Sequence, residues 1–356
     1  MNALLTPVRI GQHTLSNRMV MAPMTRSRSD DHGVPGDLVT TYYAQRASAG
    51  LIISEGVYPT AMGKGYVRTP GIETDAQVEA WKKVTEAVHA RGGRIFMQLM
   101  HSGRISHPSL LPAGAQPVAP SAIKPAGQTW TTSGLQDLVT PRALSVAEIQ
   151  GVIEDYRLAT RRALAAGFDG VELHTASGYL PEQFLSSGSN HRQDEYGGSV
   201  ANRARFVLEV LAAMVAEAGG GRVGIKISPE MGYNDIVDAA PQETYTYLVK
   251  QLAELDLAYL HVALFGTTVD YHALLRPLFG GAYLAGGGLD QASAEAILAD
   301  GWADATVFGS AFLANPDLPE RFRQGAALNT ADKSTFFSPG AQGYIDYPAL
   351  NSHQTA

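Results

Sequence analysis

From end to end the chain repeats one alternation, a short dense apolar run followed by a longer amphipathic stretch. The runs are RMVMAP (18–23), LIISEG (51–56), RIFMQL (94–99), GVELH (170–174), VGIKIS (223–228), YLHVA (259–263), AYLAGG (282–287) and ATVFG (305–309). Each is rich in Val, Ile, Leu or Phe and ends on a polar residue or glycine, as strands buried on both faces of a parallel sheet do. Stretches between them, such as 75–91, 145–167, 200–219 and 293–301, carry helical periodicity. Ser145 with Glu148 forms a capping box, and Asp290 sits at an N-cap position. Eight such alternations predict a single-domain (β/α)8 TIM barrel over 1–356. The alternative, a Rossmann-like fold with a second domain, would place a G-x-G-x-x-G after the first strand, and none is there.

Two segments interrupt the repeat. Residues 100–140, after the third strand, are rich in Pro, Gly, Ser, Thr and Gln, and a connection that long is expected to cap the barrel as a lid or hairpin. The tail from Asn315, with FFSPGAQGYIDYP, sets aromatics on a Gly/Pro scaffold and is expected to return to the site.

Composition narrows the function classes. With 356 residues and 45% hydrophobic content the chain can bury one large core. It has no cysteine, which removes disulfides, thiolate metal sites and thiol nucleophiles. A formal charge of -7 and no Lys/Arg cluster argue against a nucleic-acid partner. No stretch reaches the roughly 18 apolar residues of a membrane span, and MNALLTPVRIG lacks the pattern of a secretory signal, so a cytoplasmic protein is expected. No metal set is expected: His101 and His107 stand in a loop without a carboxylate pattern, and H-E-x-x-H is absent.

In a (β/α)8 barrel, chemistry belongs at the C-terminal ends of the strands. Thr25 lies just past the first strand, Gln98 in the third, His174 at the end of the fourth and Lys226 in the fifth. Glycine turns follow the seventh (GGGLD, 286–290) and eighth (VFGSAF, 307–312), where backbone N–H groups and helix N-termini commonly hold phosphate. His174 is followed five residues later by Tyr179, a pair able to hold a polarised substrate and hand it a proton.

The motifs NRMVMAPMTRSRS (17–29), YYAQRASAGLIISEG (42–56), MQLMHSGRISH (97–107), NHRQDEYGGS (190–199), VGIKISP (223–229) and FLANPDL (312–318) run through almost the whole chain. In them the chain resembles the Old Yellow Enzyme family of FMN-dependent ene-reductases, most of all its pentaerythritol tetranitrate reductase and N-ethylmaleimide reductase branch. The resemblance implies an NAD(P)H oxidoreductase, monomeric or homodimeric, that reduces the C=C bond of electron-poor alkenes: enones, enals, maleimides and nitroalkenes, with nitrate esters as further substrates. It implies an FMN site from Pro23, Met24, Thr25, Gly56, Gln98, Lys226, Gly287, Gly288, Gly309 and Ser310. Within it Thr25 would face the flavin carbonyl near N5, Gln98 the pyrimidine edge and Lys226 the N1/O2 side. It makes His174 the substrate anchor and Tyr179 the proton donor, with Ser177, Tyr66, Met100 and Tyr344 lining the substrate pocket and Tyr233 and Asn234 at its rim.

Four positions depart from the family pattern. Lys226 stands where arginine is usual, keeping the charge but losing the bidentate fork. Ser310 stands where an arginine usually meets the phosphate. Ser177 replaces the second His or Asn of the substrate clamp, and Met100 replaces a bulky tryptophan. Two other functions fit the same residues: a non-catalytic FMN-binding protein, suggested by the altered clamp, and a Schiff-base aldolase using Lys226.

Overall fold

The computed structural model describes residues 2–350; Met1 and 351–356, the ends of the expected 1–356 domain, lie outside the described residues. Eight strands close into a barrel: β1 (Met19–Met21), β2 (Leu51–Val57), β3 (Ile95–Leu99), β4 (Gly170–Thr175), β5 (Val223–Ile227), β6 (Tyr259–Ala263), β7 (Tyr283–Gly286) and β8 (Ala305–Phe308). Every neighbouring pair is parallel, and β8 pairs with β1 to complete the circle. Each strand leads to a helix on the outside: α1 (Asp37–Gln45), α2 (Asp75–His89), α3 (Val146–Ala165), α4 (Val200–Ala218), α5 (Pro241–Leu252), α6 (Tyr271–Leu275), α7 (Gln291–Ala299) and α8 (Leu318–Gln324). The expected (β/α)8 barrel is therefore what forms.

Local chemistry starts the helices where the sequence places them. Capping boxes at Thr74/Gln77, Ser145/Glu148 and Asp290/Ser293 satisfy orphan N–H groups at the starts of α2, α3 and α7. Proline opens α5, where the missing N–H costs nothing. Every barrel-strand residue is buried except Lys226, which explains why the strands read as dense apolar runs broken only by a few polar residues.

Two clusters make up most of the core, and a small third lies around Met100 and Tyr179. The larger part lies between strands and helices, and includes Trp81, Tyr156, Phe184 and Phe206. A smaller cluster with Val20, Ile53, Phe96, Tyr259 and Leu284 fills the lower barrel, joined by Ile10 and Leu15 of an N-terminal hairpin (Val8–Ile10, His13–Leu15). That hairpin fits closely: a Cβ on Gly11 would meet the Gly221 carbonyl at 2.1 Å, and Gly11 has φ +55°. With its N-terminal end packed, the barrel offers polar groups to ligands at the other end.

Both interruptions of the repeat arrive at that end. The segment between β3 and α3 contains a hairpin (Gln128–Thr131, Gly134–Asp137) tied to the loop after β2 by a hydrogen bond from Thr129 Oγ1 to the Gly65 carbonyl, 2.8 Å. The C-terminal tail is held by buried arginines. Arg28 donates to the carbonyls of Thr335 (2.9 Å), Gly340 (3.0 Å) and Gln342 (3.1 Å), and Arg26 to those of Phe336 (3.1 Å) and Gly343 (2.8 Å).

Candidate active site

Hairpin, tail and the loops after β1 and β2 enclose a cleft of about 960 Å³ over the C-terminal end of the barrel. Met24, Thr25, Tyr66, Tyr179, Asn234 and Ser310 stand in its wall. Below it the strand register assembles the polar layer of the barrel. His174 pairs in register with Lys226, and Lys226 with His261; Glu172 lies opposite Gln98. Glu172 is the hub, accepting from Gln98 Nε2 at 2.7 Å and bonded to His261 Nδ1 at 3.0 Å. Its hold on the Gln98 amide nitrogen leaves the amide oxygen as that side chain's free acceptor.

Electrostatics in this layer follow from burial. Burial, reinforced by the positive charge of Lys226 and by His261, pushes His174 well below its ordinary pKa, so its imidazole is neutral at pH 7. His174 Nδ1 is buried with no hydrogen-bond partner among the described residues. Such an orphan marks a place where a ligand or water is expected. Burial also lowers the Lys226 pKa, opposed by Glu172 and Glu182.

Tyr179 ends a turn whose backbone is held on all sides. Ser177 and Gly178 both have positive φ, +58° and +77°, a pair of left-handed residues that costs energy unless its surroundings impose it. Side chains impose it here. Ser228 Oγ accepts from Ser177 N–H (3.0 Å), and Asn234 Nδ2 donates to the Ser177 carbonyl (2.8 Å). Glu182 accepts from Gly178 N–H (2.6 Å), and Gln183 Nε2 donates to the Gly178 carbonyl (2.8 Å). The turn leads into a short helix, Leu180–Leu185, and sets the Tyr179 ring edge-on to His174 at 4.9 Å between centroids. The Tyr179 hydroxyl lies 2.9 Å from that of Tyr66. Burial and the neighbouring Tyr66 raise the Tyr179 pKa well above its ordinary value, and burial raises Tyr66 to about 12, so both phenols are protonated at neutral pH.

The remaining expected residues fall in two groups. Pro23, Met24 and Thr25 follow β1 and are partly exposed, and Gly56 pairs with Gln98 beyond a register shift in β2. Gly287 and Gly288 follow β7 with φ +116° and +74°; a Cβ on Gly287 would strike the Leu264 carbonyl, whereas Gly288 faces open space. Gly309 caps the short helix Ser310–Ala314, and a Cβ there would meet nothing closer than Met24 Sδ at 3.7 Å. Gly288 and Gly309 leave open backbone at the ends of β7 and β8, and Lys226, Gln98 and Thr25, in or just after other strands of the same barrel, have unspent polar atoms. The set fits a phosphorylated, planar, hydrogen-bonding cofactor such as FMN.

In the second group the geometry modifies the expectation. Ser177 follows His174 by three residues, but its hydroxyl is engaged 3.7 Å from the Met231 sulfur, a weak acceptor. Met100 is buried with Tyr66, Tyr179, Ile105 and Leu138, and a Cβ on Gly56 would lie 2.6 Å from its sulfur. It packs behind the two tyrosines. Tyr344 requires a correction: it does not line the cleft. Its ring is fully buried, stacked on Tyr42 at 4.2 Å with the Arg28 guanidinium 4.4 Å from its centroid. Arginines reaching from the loop after β1 draw that ring into the wall, and Phe336 and Phe337 of the same tail line the cleft instead. The adjacent pair FF on a Ser-Pro-Gly scaffold was the available signal.

Comparison with known proteins agrees with this geometry. The model of the NADH:flavin oxidoreductase / NADH oxidase family matches residues 3–329. Among curated relatives, a putative 12-oxophytodienoate reductase 4 of Oryza sativa subsp. japonica is 44% identical over 98% of this chain and 93% of its own length. The 12-oxophytodienoate reductase 2 of Arabidopsis thaliana is 40% identical over 98% and 96%. Among solved structures, morphinone reductase in complex with tetrahydroNAD superposes with TM-score 0.94 at 49% identity, covering 98% of both chains. The old yellow enzyme homologue from Zymomonas mobilis gives TM-score 0.96 at 40% identity, covering 98% of this chain and 100% of that one.

Proposed function

Because this chain belongs to the Old Yellow Enzyme family of FMN-dependent NAD(P)H oxidoreductases, we propose that it reduces the C=C bond of activated alkenes, with His174 as substrate anchor and Tyr179 as proton donor. Enones, enals, maleimides and nitroalkenes are the substrate class, with nitrate esters as further acceptors. The overall change is alkene + NAD(P)H + H⁺ to alkane + NAD(P)⁺. FMN, when bound, would supply the hydride chemistry that links nicotinamide oxidation to alkene reduction. Thr25, Gln98 and Lys226 would hold its ring, and Gly287, Gly288, Gly309 and Ser310 its phosphate.

The single observation carrying this reading is the pairing of a neutral, under-bonded His174 with a protonated Tyr179 that lines the cleft, their ring centroids 4.9 Å apart. A neutral imidazole donates one hydrogen bond to the carbonyl or nitro oxygen, drawing charge from the alkene and making the β-carbon electrophilic. The Tyr179 hydroxyl then gives its proton to the α-carbon. A raised phenol pKa keeps that proton in place until a carbanion-like centre, a far stronger base, forms beside it. Tyr66, 2.9 Å away, can stabilise the oxyanion left on Tyr179 by hydrogen bonding.

Separating the half-reactions tests the reading. Anaerobic holoprotein should be bleached by a nicotinamide dinucleotide and then reoxidised by 2-cyclohexenone. Bleaching without reoxidation by any enone, maleimide or nitroalkene would identify a non-catalytic FMN-binding protein instead.

A further inference from the structure

The cleft wall is electrostatically one-sided. Its lining residues include two arginines, Arg26 and Arg68, and no lysine, aspartate or glutamate, in a chain whose formal charge is -7. The arginines differ in availability. Arg26 is fully buried, packed against Tyr42 and Tyr344, with Nε and Nη2 donating to the Phe336 and Gly343 carbonyls. Arg68 is partly exposed. Its Nε donates to the Ser27 carbonyl (3.0 Å) and its Nη2 to the Phe337 carbonyl (3.2 Å), which fixes the guanidinium between two walls of the cleft. Among the described residues Nη1 has no partner and no carboxylate pairs with the group. Arg68 also has φ +52°, an uncommon conformation for a non-glycine residue and one that concentrates at ligand sites.

Position says what such a group would read. One residue separates Arg68 from Tyr66, whose hydroxyl touches Tyr179, so their Cα atoms are at most about 7 Å apart. A ligand reacting at Tyr179 and extending outward therefore passes Arg68. Beside it the cleft rim exposes Phe337, Trp130, Tyr233 and Leu135, at 56%, 55%, 55% and 46% of their surface. An apolar rim next to an uncompensated guanidinium suits an elongated ligand with an apolar body and an anionic end.

We propose that Arg68 is an anion-recognition residue at the outer end of the cleft, binding phosphate or carboxylate oxygens of a ligand whose reacting end lies at Tyr179. The inference rests on the proposed alkene reduction for where the reacting end sits. Two sources share the chemistry: the phosphates of the nicotinamide dinucleotide, and a carboxylate on the far end of the alkene substrate.

The test uses full-length holoenzyme as wild type, Arg68→Gln and Arg68→Lys. Binding of non-reacting tetrahydroNAD is measured by calorimetry, and kcat/KM is measured for a cyclopentenone with a carboxyalkyl chain and for its methyl ester. With Arg68→Gln we expect at least about a tenfold loss in one of two readings: tetrahydroNAD affinity, which assigns the dinucleotide phosphates, or the acid-over-ester ratio of kcat/KM, which assigns a substrate carboxylate. Arg68→Lys keeps the charge but not the fork spanning Ser27 and Phe337, and should recover part of that loss. Unchanged tetrahydroNAD affinity together with an unchanged acid-over-ester ratio would overturn the proposal. So would losses of equal size for acid and ester with tetrahydroNAD affinity intact, which would make Arg68 only a strap for the tail. Failure of wild type to reduce either cyclopentenone would count against the alkene-reductase reading, while the tetrahydroNAD arm would still test Arg68.

Discussion

Tyr179 is aimed in part by Glu182, which lies outside the cleft lining. Its turn is left-handed at two successive residues, and Glu182 holds the Gly178 N–H while also accepting from Tyr245 at 2.6 Å. Glu182→Ala strands two buried donors, each costing about 1–3 kcal/mol, and frees the turn that aims the phenol. We expect it to slow reoxidation of the reduced protein by alkene far more than reduction by nicotinamide; equal slowing of both half-reactions would reduce Glu182 to a general stability role. Ser177 offers the opposite experiment. Asparagine tolerates positive φ better than most residues, so Ser177→Asn should fit the turn and add a donor near His174. That donor is worth on the order of 1–3 kcal/mol toward a developing enolate oxygen. The expected outcome is a higher kcat/KM on simple cyclic enones, and an equal or lower value contradicts it. Legibility at this scale was uneven. The placement of His174 and Tyr179 against each other was readable because one ends the fourth strand and the other closes the turn after it; their roles came from the resemblance. Tyr344 misled because its burial is decided by Arg26 and Arg28, more than 300 residues away in the chain. Glu182 and Arg68 went unread because neither a buried carboxylate in a short helix nor a loop guanidinium carries a periodic or motif signal.

Among the elements, the strands were legible almost to the residue, since burial on both faces writes an apolar run that no surface helix copies. The capping boxes fixed the helix starts in the same way. Ser145→Ala should cost about 1 kcal/mol through the start of α3, read as a lowered denaturation midpoint with no change in kcat; an unaltered midpoint would show the cap to be redundant. The hairpin and the tail were legible only as interruptions, because their conformations are set by distant partners such as Gly65 and Arg28. Replacing Gln128–Asp137 with a short Gly-Ser link should raise KM for alkenes while leaving the denaturation midpoint nearly unchanged. An unchanged KM would remove the hairpin from the binding surface.

For the molecule as a whole, two fully buried carboxyls contribute a response to pH with a definite sign. Burial pushes both Glu55 and Glu182 from an ordinary 4.5 to about 7. The folded form then binds protons more tightly than the unfolded form, so their contribution is complete below about 4.5 and is lost as pH rises through about 7. Each carries up to roughly 3 kcal/mol across that window. Glu182→Gln, neutral at every pH, should flatten the fall in Tm between about pH 5 and pH 8; an identical slope in variant and wild type would contradict the assignment.

The central claim is that Tyr179 protonates an alkene anchored at His174, and one stopped-flow comparison addresses it most directly. Wild type and Tyr179→Phe, each reduced anaerobically by nicotinamide, are mixed with 2-cyclohexenone and flavin reoxidation is followed. The account predicts normal reduction in both proteins, and reoxidation slower by about 10²-fold or more in Tyr179→Phe, the usual scale for loss of a general acid. Equal reoxidation rates in the two proteins would contradict it.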